Sequence, residues 1–375
     1  MTITGFITYK TWIMENDMEK KYEYHLSGTA FEFAPIITYA AIVTCSEDEA
    51  IQIPECLPYK SGWGTGCHVE ILEQSEHYLP QGIHIIYLSI LEKEYYIINE
   101  ELPQKDIESL WTSAAINKDS NQNQSINNSS LFENIVVGMA PYGNVAIWLN
   151  GISKSTLIFW KKGEKIDTSI FPQETTPASI RETCEFYINN DPLVKENLEK
   201  NGLPPRDLFD RYMQQFNYRY VVEFGHWDEE NEEWKPYEND EVKPEFDYIE
   251  EALYDGTHDK LHDGGLMEYH QAGKPKKLAL QWHIKKSEYS AFLWMDDMKI
   301  RAAFEAFYHD YPEAEIDFVF RIDPLENKYQ ILFNCRDTEQ SIPLNEDAYQ
   351  MIVFKSKFER YRSKNYNQPR GAWIW

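Results

Sequence analysis

No stretch of this chain is long and apolar enough to read as a membrane helix. The best run, Ile83–Leu91 (IHIIYLSIL), falls well short of the about 20 residues a span needs. The opening segment, MTITGFITYKTWIMENDMEKKYEYH, lacks a sustained apolar stretch and a small-residue cleavage site, so it does not read as a secretory signal. A cytoplasmic location is the expectation. Cysteine is sparse and odd in number: Cys45, Cys56, Cys67, Cys184 and Cys335, with no C-x-x-C pair. That excludes a disulfide framework and a zinc knuckle, and free thiols in a reducing compartment are expected. Positive charge is also scarce, with 36 Lys and Arg against 62 Asp and Glu, a net charge of -26. Such a surface repels phosphate backbones and anionic membranes, so neither nucleic acid nor a membrane is an expected partner, whereas a basic protein is. There is no G-x-x-x-x-G-K-[ST] phosphate loop, no G-x-S-x-G elbow and no Rossmann glycine fingerprint.

What the chain does have is core material. Hydrophobic residues make up 42% of its 375 residues, with 11 Trp and 25 Tyr, enough for two domains. Val136–Gly151 (VVGMAPYGNVAIWLNG) reads as two strands about a Pro-Tyr-Gly turn. Ile135, Val137 and Met139 alternate before it. Val145, Ile147 and Leu149 alternate after it, with Trp148 on the opposite face. Gly138, Gly143 and Gly151 suit unusual backbone geometry and Pro141 suits a first corner, with Tyr142 between. Strands are also expected over Phe31–Val43, Gly82–Leu91, Glu94–Asn99 and Thr156–Trp160. A helix is expected over Leu102–Ile116, followed by a low-complexity loop near 117–130 (NKDSNQNQSINNSS).

Around Phe171–Thr176 the texture turns helical. Thr176-Pro177 and Asp191-Pro192 are N-cap signals and Gly202 a helix stop, with a third helix expected over Pro204–Phe216. The division is therefore a β-rich domain over 1–172 and an α+β domain over 173–375. In the latter, Leu278, Leu280, Trp282 and Ile284 alternate into a hairpin with Tyr289–Met295. Asp296 then caps a helix carrying Ile300, Phe304, Phe307 and Tyr311 on one face. Ile316–Ile322 and Tyr329–Phe333 form a second strand pair, and a helix is expected over Glu346–Ser363, although its MIVF segment is equally compatible with a strand. The fold class is α+β: antiparallel sheets with helices on one face, and strand–strand–helix repeated twice in the C-terminal half as one four-stranded sheet. The tail Asn365–Trp375 is expected to dock as a terminal strand.

Three segments could carry chemistry. Asp255–Gly265 (DGTHDKLHDGG) sets His258 and His262 four apart with Asp259 beside them; on a helix the imidazoles would share a face, as a metal pair requires. The bland alternative is a polar turn after a helix over Phe246–Leu253. Cys67-His68 is adjacent in sequence, but neighbours on a strand point to opposite faces, which favours a strand start over a nucleophile. Trp227–Asp240 (WDEENEEWKPYEND) lacks calcium-loop spacing. It reads as a charged hairpin tip with Trp227 and Trp234 paired across it, carrying Asp228, Glu229, Glu230, Glu232 and Glu233. If functional, it is a contact for a basic protein.

GMAPYGNVAIWLNG, together with YDGTHDKLHDGG (Tyr254–Gly265), KPKKLALQWH (Lys274–His283) and the closing YNQPRGAWIW, resembles the bacterial family labelled domain of unknown function 2931, in a longer variant seen in Bacteroidetes-type bacteria. The resemblance covers the middle and the last half. Some members are encoded beside type VI secretion effectors, which implies immunity proteins that neutralise a toxin. Many look like lipoproteins, but this chain has no lipobox cysteine. The functional expectation is a non-catalytic interaction protein that occludes a basic toxin, without a cofactor. The alternative is a metal-dependent hydrolase using His258, Asp259 and His262.

Overall fold

The structure is a computed structural model that describes residues 21–31, 35–44, 50–54, 63–65, 76–120, 132–151, 153–171, 175–237, 244–261, 267–324, 328–336 and 341–356. Strands outweigh helices throughout, and the mixed α and β content agrees with the α+β class. The chain divides into two compact units. One comprises the chain up to Ser61, Thr65–Ile152 and Ile158–Tyr187; the other comprises Gly62–Gly64, Ser153–Leu157 and everything from Ile188 onward.

In the first unit, β1 (His25–Ala30) runs parallel to β5 (Phe132–Met139), which turns back antiparallel into β6 (Asn144–Gly151). A second sheet joins β2 (Ile36–Val43), β3 (Gly82–Ser89) and β4 (Glu94–Glu101), all antiparallel. The expected alternation is realised as direct cross-strand pairs: Ile135 opposite Leu149, Val137 opposite Ile147, Met139 opposite Val145. These side chains share one core with Ile83, Ile85, Tyr87 and Ile98, and with Ile107 and Trp111 of α1 (Gln104–Ser120). Val136 and Trp148, on the other face, are buried as well. α1 continues past its expected end at Ile116 through Ser120, so the start of the low-complexity segment is helical; residues 121–130 lie outside the described residues. α2 (Pro177–Asn190) starts as expected, with Thr176 Oγ1 accepting from the Ser179 N–H.

In the second unit, α3 (Pro192–Asn201) is capped by Asp191, which accepts from the N–H groups of Leu193 and Val194, and it stops at Gly202. The helix expected over Pro204–Phe216 shrinks to α4 (Leu208–Tyr212). The Lys274 ammonium takes the carbonyl of Arg211 at its end, and from Phe216 the apolar residues alternate as a strand. One sheet joins β10 (Glu245–Leu253), β12 (Pro275–Ile284), β13 (Ser287–Met295) and β16 (Tyr349–Ser356) in antiparallel order. At the other side of β10 lies β11 (His258–Leu261), whose His258 pairs with Ser155 of β7 (Ser155–Lys162). The second sheet joins β9 (Glu233–Pro236), β8 (Phe216–Asp228), β14 (Ile316–Asp323) and β15 (Lys328–Cys335), with β8 and β14 parallel. α5 (Asp297–Asp310), capped by Asp296, buries Ile300, Phe304 and Phe307 against this sheet; the Phe304 ring centroid lies 5.1 Å from Phe216 and 5.0 Å from Phe333. Phe224 meets Trp282 at 5.7 Å, so the inner faces of the two sheets touch.

Three expectations are corrected. Phe246–Leu253 is a strand and not a helix: Ile249, Glu251 and Leu253 all point inward, and the charge at the middle position disguises the period of two. The MIVF segment lies in strand β16 and not in a helix, so among the described residues strand–strand–helix is not repeated. The two hairpins do not form one four-stranded sheet, because β14 is claimed by β8 in parallel pairing. The tail Asn365–Trp375 lies outside the described residues.

Candidate functional site

The hairpin β8–β9 brings all seven acidic and aromatic candidates to one tip. Trp227 stands opposite Trp234 and Asp228 opposite Glu233. Asp228 closes the turn: its carboxylate accepts from the N–H groups of Glu230 at 3.0 Å and Asn231 at 3.3 Å, from the Asn231 amide at 2.8 Å, and from the Lys235 ammonium. Those donors, Lys235 foremost, hold its carboxyl well below the usual range. Asp228 is thus committed to shaping the loop, as an Asx turn does. Glu229, Glu230, Glu232 and Glu233 remain exposed, and Trp227 is 41% exposed. Lys235 also approaches Glu233 at 3.2 Å and Lys328 approaches Glu229 at 3.8 Å. Exposed pairs of this kind are worth little, and the tip keeps a net negative charge. Trp234 packs over Gly225, where a Cβ would come within 2.9 Å of its indole.

A second cluster is buried, and of it the candidate segments of the sequence contain only Asp255 and Thr257, within Asp255–Gly265. Glu251, 6% exposed, accepts from Tyr220 Oη at 2.5 Å; Tyr220 Oη lies 3.3 Å from Tyr218 Oη, which donates to the Gly273 carbonyl at 2.8 Å. His270 Nε2 stands 3.9 Å from the Glu251 carboxylate. Burial pushes the Glu251 carboxyl up to about 8. Near it, Asp255 accepts from Thr257 N–H, Thr257 Oγ1 and Gln215 Nε2. Lys274 is fully buried, and burial lowers its ammonium to about 8. The signal available was a charged or tyrosine residue at an inward position of an alternating strand. Buried groups so perturbed mark functional sites or structural networks alike; here Glu251, Asp255 and Lys274 are each bonded to neighbours that hold the fold, whereas His270 Nε2 is buried with no hydrogen-bond partner among the described residues.

The helix on which the metal alternative rests is not found at His258 and Asp259. His258 and Asp259 lie on strand β11, not on a helix, so four-residue spacing does not set His258 and His262 on one helical face; His262 itself lies outside the described residues. Asp259 is paired with Lys154 at 2.8 Å, and burial lowers the His258 imidazolium. Among the described residues no group of three His, Cys, Asp or Glu is placed to hold a metal ion. Cys67 and His68 lie outside the described residues.

The Pro-Tyr-Gly turn is structural. Pro141–Gly143 forms one 3-10 turn in which Tyr142 takes a φ of 61° and Gly143 a φ of 81°. Asn144 Nδ2 donates to the Pro141 carbonyl at 2.6 Å and Tyr87 Oη to the Ala140 carbonyl at 2.8 Å. Gly143 is required twice over: its φ is left-handed, and a Cβ would come within 2.8 Å of the Gly163 carbonyl oxygen and of Tyr96 Cδ1.

Gly138, Pro141, Tyr142, Gly143, Trp148 and Gly151 all fall inside residues 11–204, which match the family described as Protein of unknown function (DUF2931), and the chain belongs to that family. The match takes in the first half of the chain and stops before Tyr254–Gly265, Lys274–His283 and the tail, which therefore do not carry it. No curated protein and no solved structure matches the chain. Among the described residues no helix is long and apolar enough to cross a membrane.

Proposed function

We propose that this chain is a non-catalytic interaction protein that acts in the cytoplasm and neutralises a basic bacterial toxin by covering its active site. The observation that carries this reading is the β8–β9 tip. A fixed hairpin displays Glu229, Glu230, Glu232 and Glu233 around the exposed Trp227, and Asp228 is spent on holding that shape. Charge of one sign steers a basic partner to the surface and raises the association rate, while a desolvated tryptophan supplies much of the affinity. A net charge of -26 extends the same field over the molecule. The resemblance to a family with members encoded beside type VI effectors supplies the kind of partner.

The experiment is co-purification with the product of the adjacent gene at low and at high salt. The reading expects a one-to-one complex at low salt that weakens as salt is raised, with loss of the toxin's activity in the complex. A partner that stays fully active when bound would contradict occlusion.

A further inference from the structure

Four features of the second unit converge at the β12–β13 turn. The first is the turn itself. Lys285 and Lys286 connect the strands as a two-residue loop closed by the pair Ile284 and Ser287, and Lys285 takes a φ of 56°. A left-handed first corner is normally given to glycine, so a residue with a side chain there strains the backbone. The second is charge: in a chain with a net charge of -26, neither lysine makes an ion pair among the described residues, and both are exposed.

The third is a bulge in β10. Phe246 pairs with Trp282 and Tyr248 with Gln281, which leaves Asp247 as the extra residue. A bulge re-aims a side chain, and here Asp247 Oδ1 lies 2.9 Å from His283 Nδ1. Glu245 Oε2 stands 3.1 Å from the other ring nitrogen, on a side chain that is 76% exposed. An acceptor thus stands at each ring nitrogen, and a ring nitrogen that carries a proton donates to it. Asp247 fixes the ring, and the solvated Glu245 can leave Nε2 to another acceptor. The fourth is space: an open surface depression of about 300 Å³ lies at this point, lined by Asp247, Gln281, His283, Lys285, Lys286 and Glu288.

We propose that this depression binds the phosphate group of a small molecule. Two ammonium groups, the His283 Nε2–H and the Gln281 amide supply donors for the three terminal oxygens of a dianion. Charge-assisted bonds of this kind are the strong ones. Glu288 and Asp247 accept from a hydroxyl or ammonium elsewhere on the same ligand. The surrounding acidic surface excludes a polyanion such as nucleic acid, which restricts the ligand to a compact one. The strain at Lys285 is then the cost of presenting its ammonium to the depression.

The test is a titration of the full chain, with histidine labelled at Cε1, by inorganic phosphate and by O-phosphoserine at constant ionic strength, read by NMR. The His283 resonance is assigned by its loss in His283→Gln. The proposal expects a saturable shift of that resonance with both phosphates and none with chloride. It also expects binding to weaken about tenfold or more in Lys285→Gly/Lys286→Ala. Glycine relieves the left-handed corner, so this variant keeps the fold, and its melting temperature should not fall. A response that does not saturate, or one with the same midpoint in the double variant, overturns the proposal and marks an adventitious ion only.

Discussion

The backbone N–H of Tyr142 donates to the carboxylate of Glu92, joining the turn between β5 and β6 to the turn between β3 and β4. Glu92 accepts from Ser89 Oγ at 2.5 Å with its other oxygen, and the neighbouring Lys93, at a φ of 61°, reaches Glu185 of α2 at 2.9 Å. Two left-handed corners, Lys93 and Tyr142, are thus anchored within one short network. The turn residues that carry the family resemblance build this junction.

Gly143→Ala tests that junction. A methyl group would meet the Gly163 carbonyl oxygen and the Tyr96 ring at 2.8 Å, on a backbone that disfavours any side chain. The expected loss is roughly 2–4 kcal/mol, large for one methyl group. Urea unfolding of the variant measures it; a loss within the error of the wild type would mean that the turn is not the anchor described.

Glu251 predicts a pH dependence of stability. Its carboxyl is raised in the folded state from 4.5 to about 8, so between those values the folded chain binds the extra proton. The stabilisation from this group is complete below about 4.5 and is lost as pH rises through about 8. Glu251→Gln, which keeps the acceptor for Tyr220 and removes the titration, should flatten the fall. Melting curves from pH 5 to pH 9, a range of about 4 units set by this linkage, compare the two proteins directly. Equal slopes would sink the assignment.

Phe304 carries the packing of α5. Its ring contacts Phe216, Tyr218, Phe318 and Phe333, and it is fully buried. Phe304→Ala should cost about 3–5 kcal/mol, and Phe304→Leu much less. Denaturant midpoints for the pair distinguish a packed core position from a tolerant one.

Local patterns were legible in the sequence, and long-range partners were not. The Pro-Tyr-Gly hairpin, the pairing of Trp227 with Trp234, the Asp191 and Asp296 caps and the stop at Gly202 are each set by residues within a few positions of one another. The parallel pairing of β8 with β14 sets Arg219 opposite Asp317, and no turn residue signals a contact across such a separation. Glu251 shows the other limit. A buried carboxylate interrupts the apolar alternation that identifies a strand, so Phe246–Leu253 reads as helical until Tyr220 is placed beside it. The acidic hairpin tip was visible as a charge run; that Asp228 shapes the loop and leaves its neighbours exposed follows only from the hydrogen bonds it accepts.

The most direct measurement is of association and dissociation rates with the adjacent gene's product across a salt series, for the wild type, for Trp227→Ala and for Glu229→Lys/Glu230→Lys/Glu232→Lys/Glu233→Lys. The account predicts that charge reversal slows association about tenfold or more and removes most of the salt dependence, that Trp227→Ala speeds dissociation, and that neither variant loses more than about 0.5 kcal/mol of folding stability. Rates unchanged in both variants would contradict it.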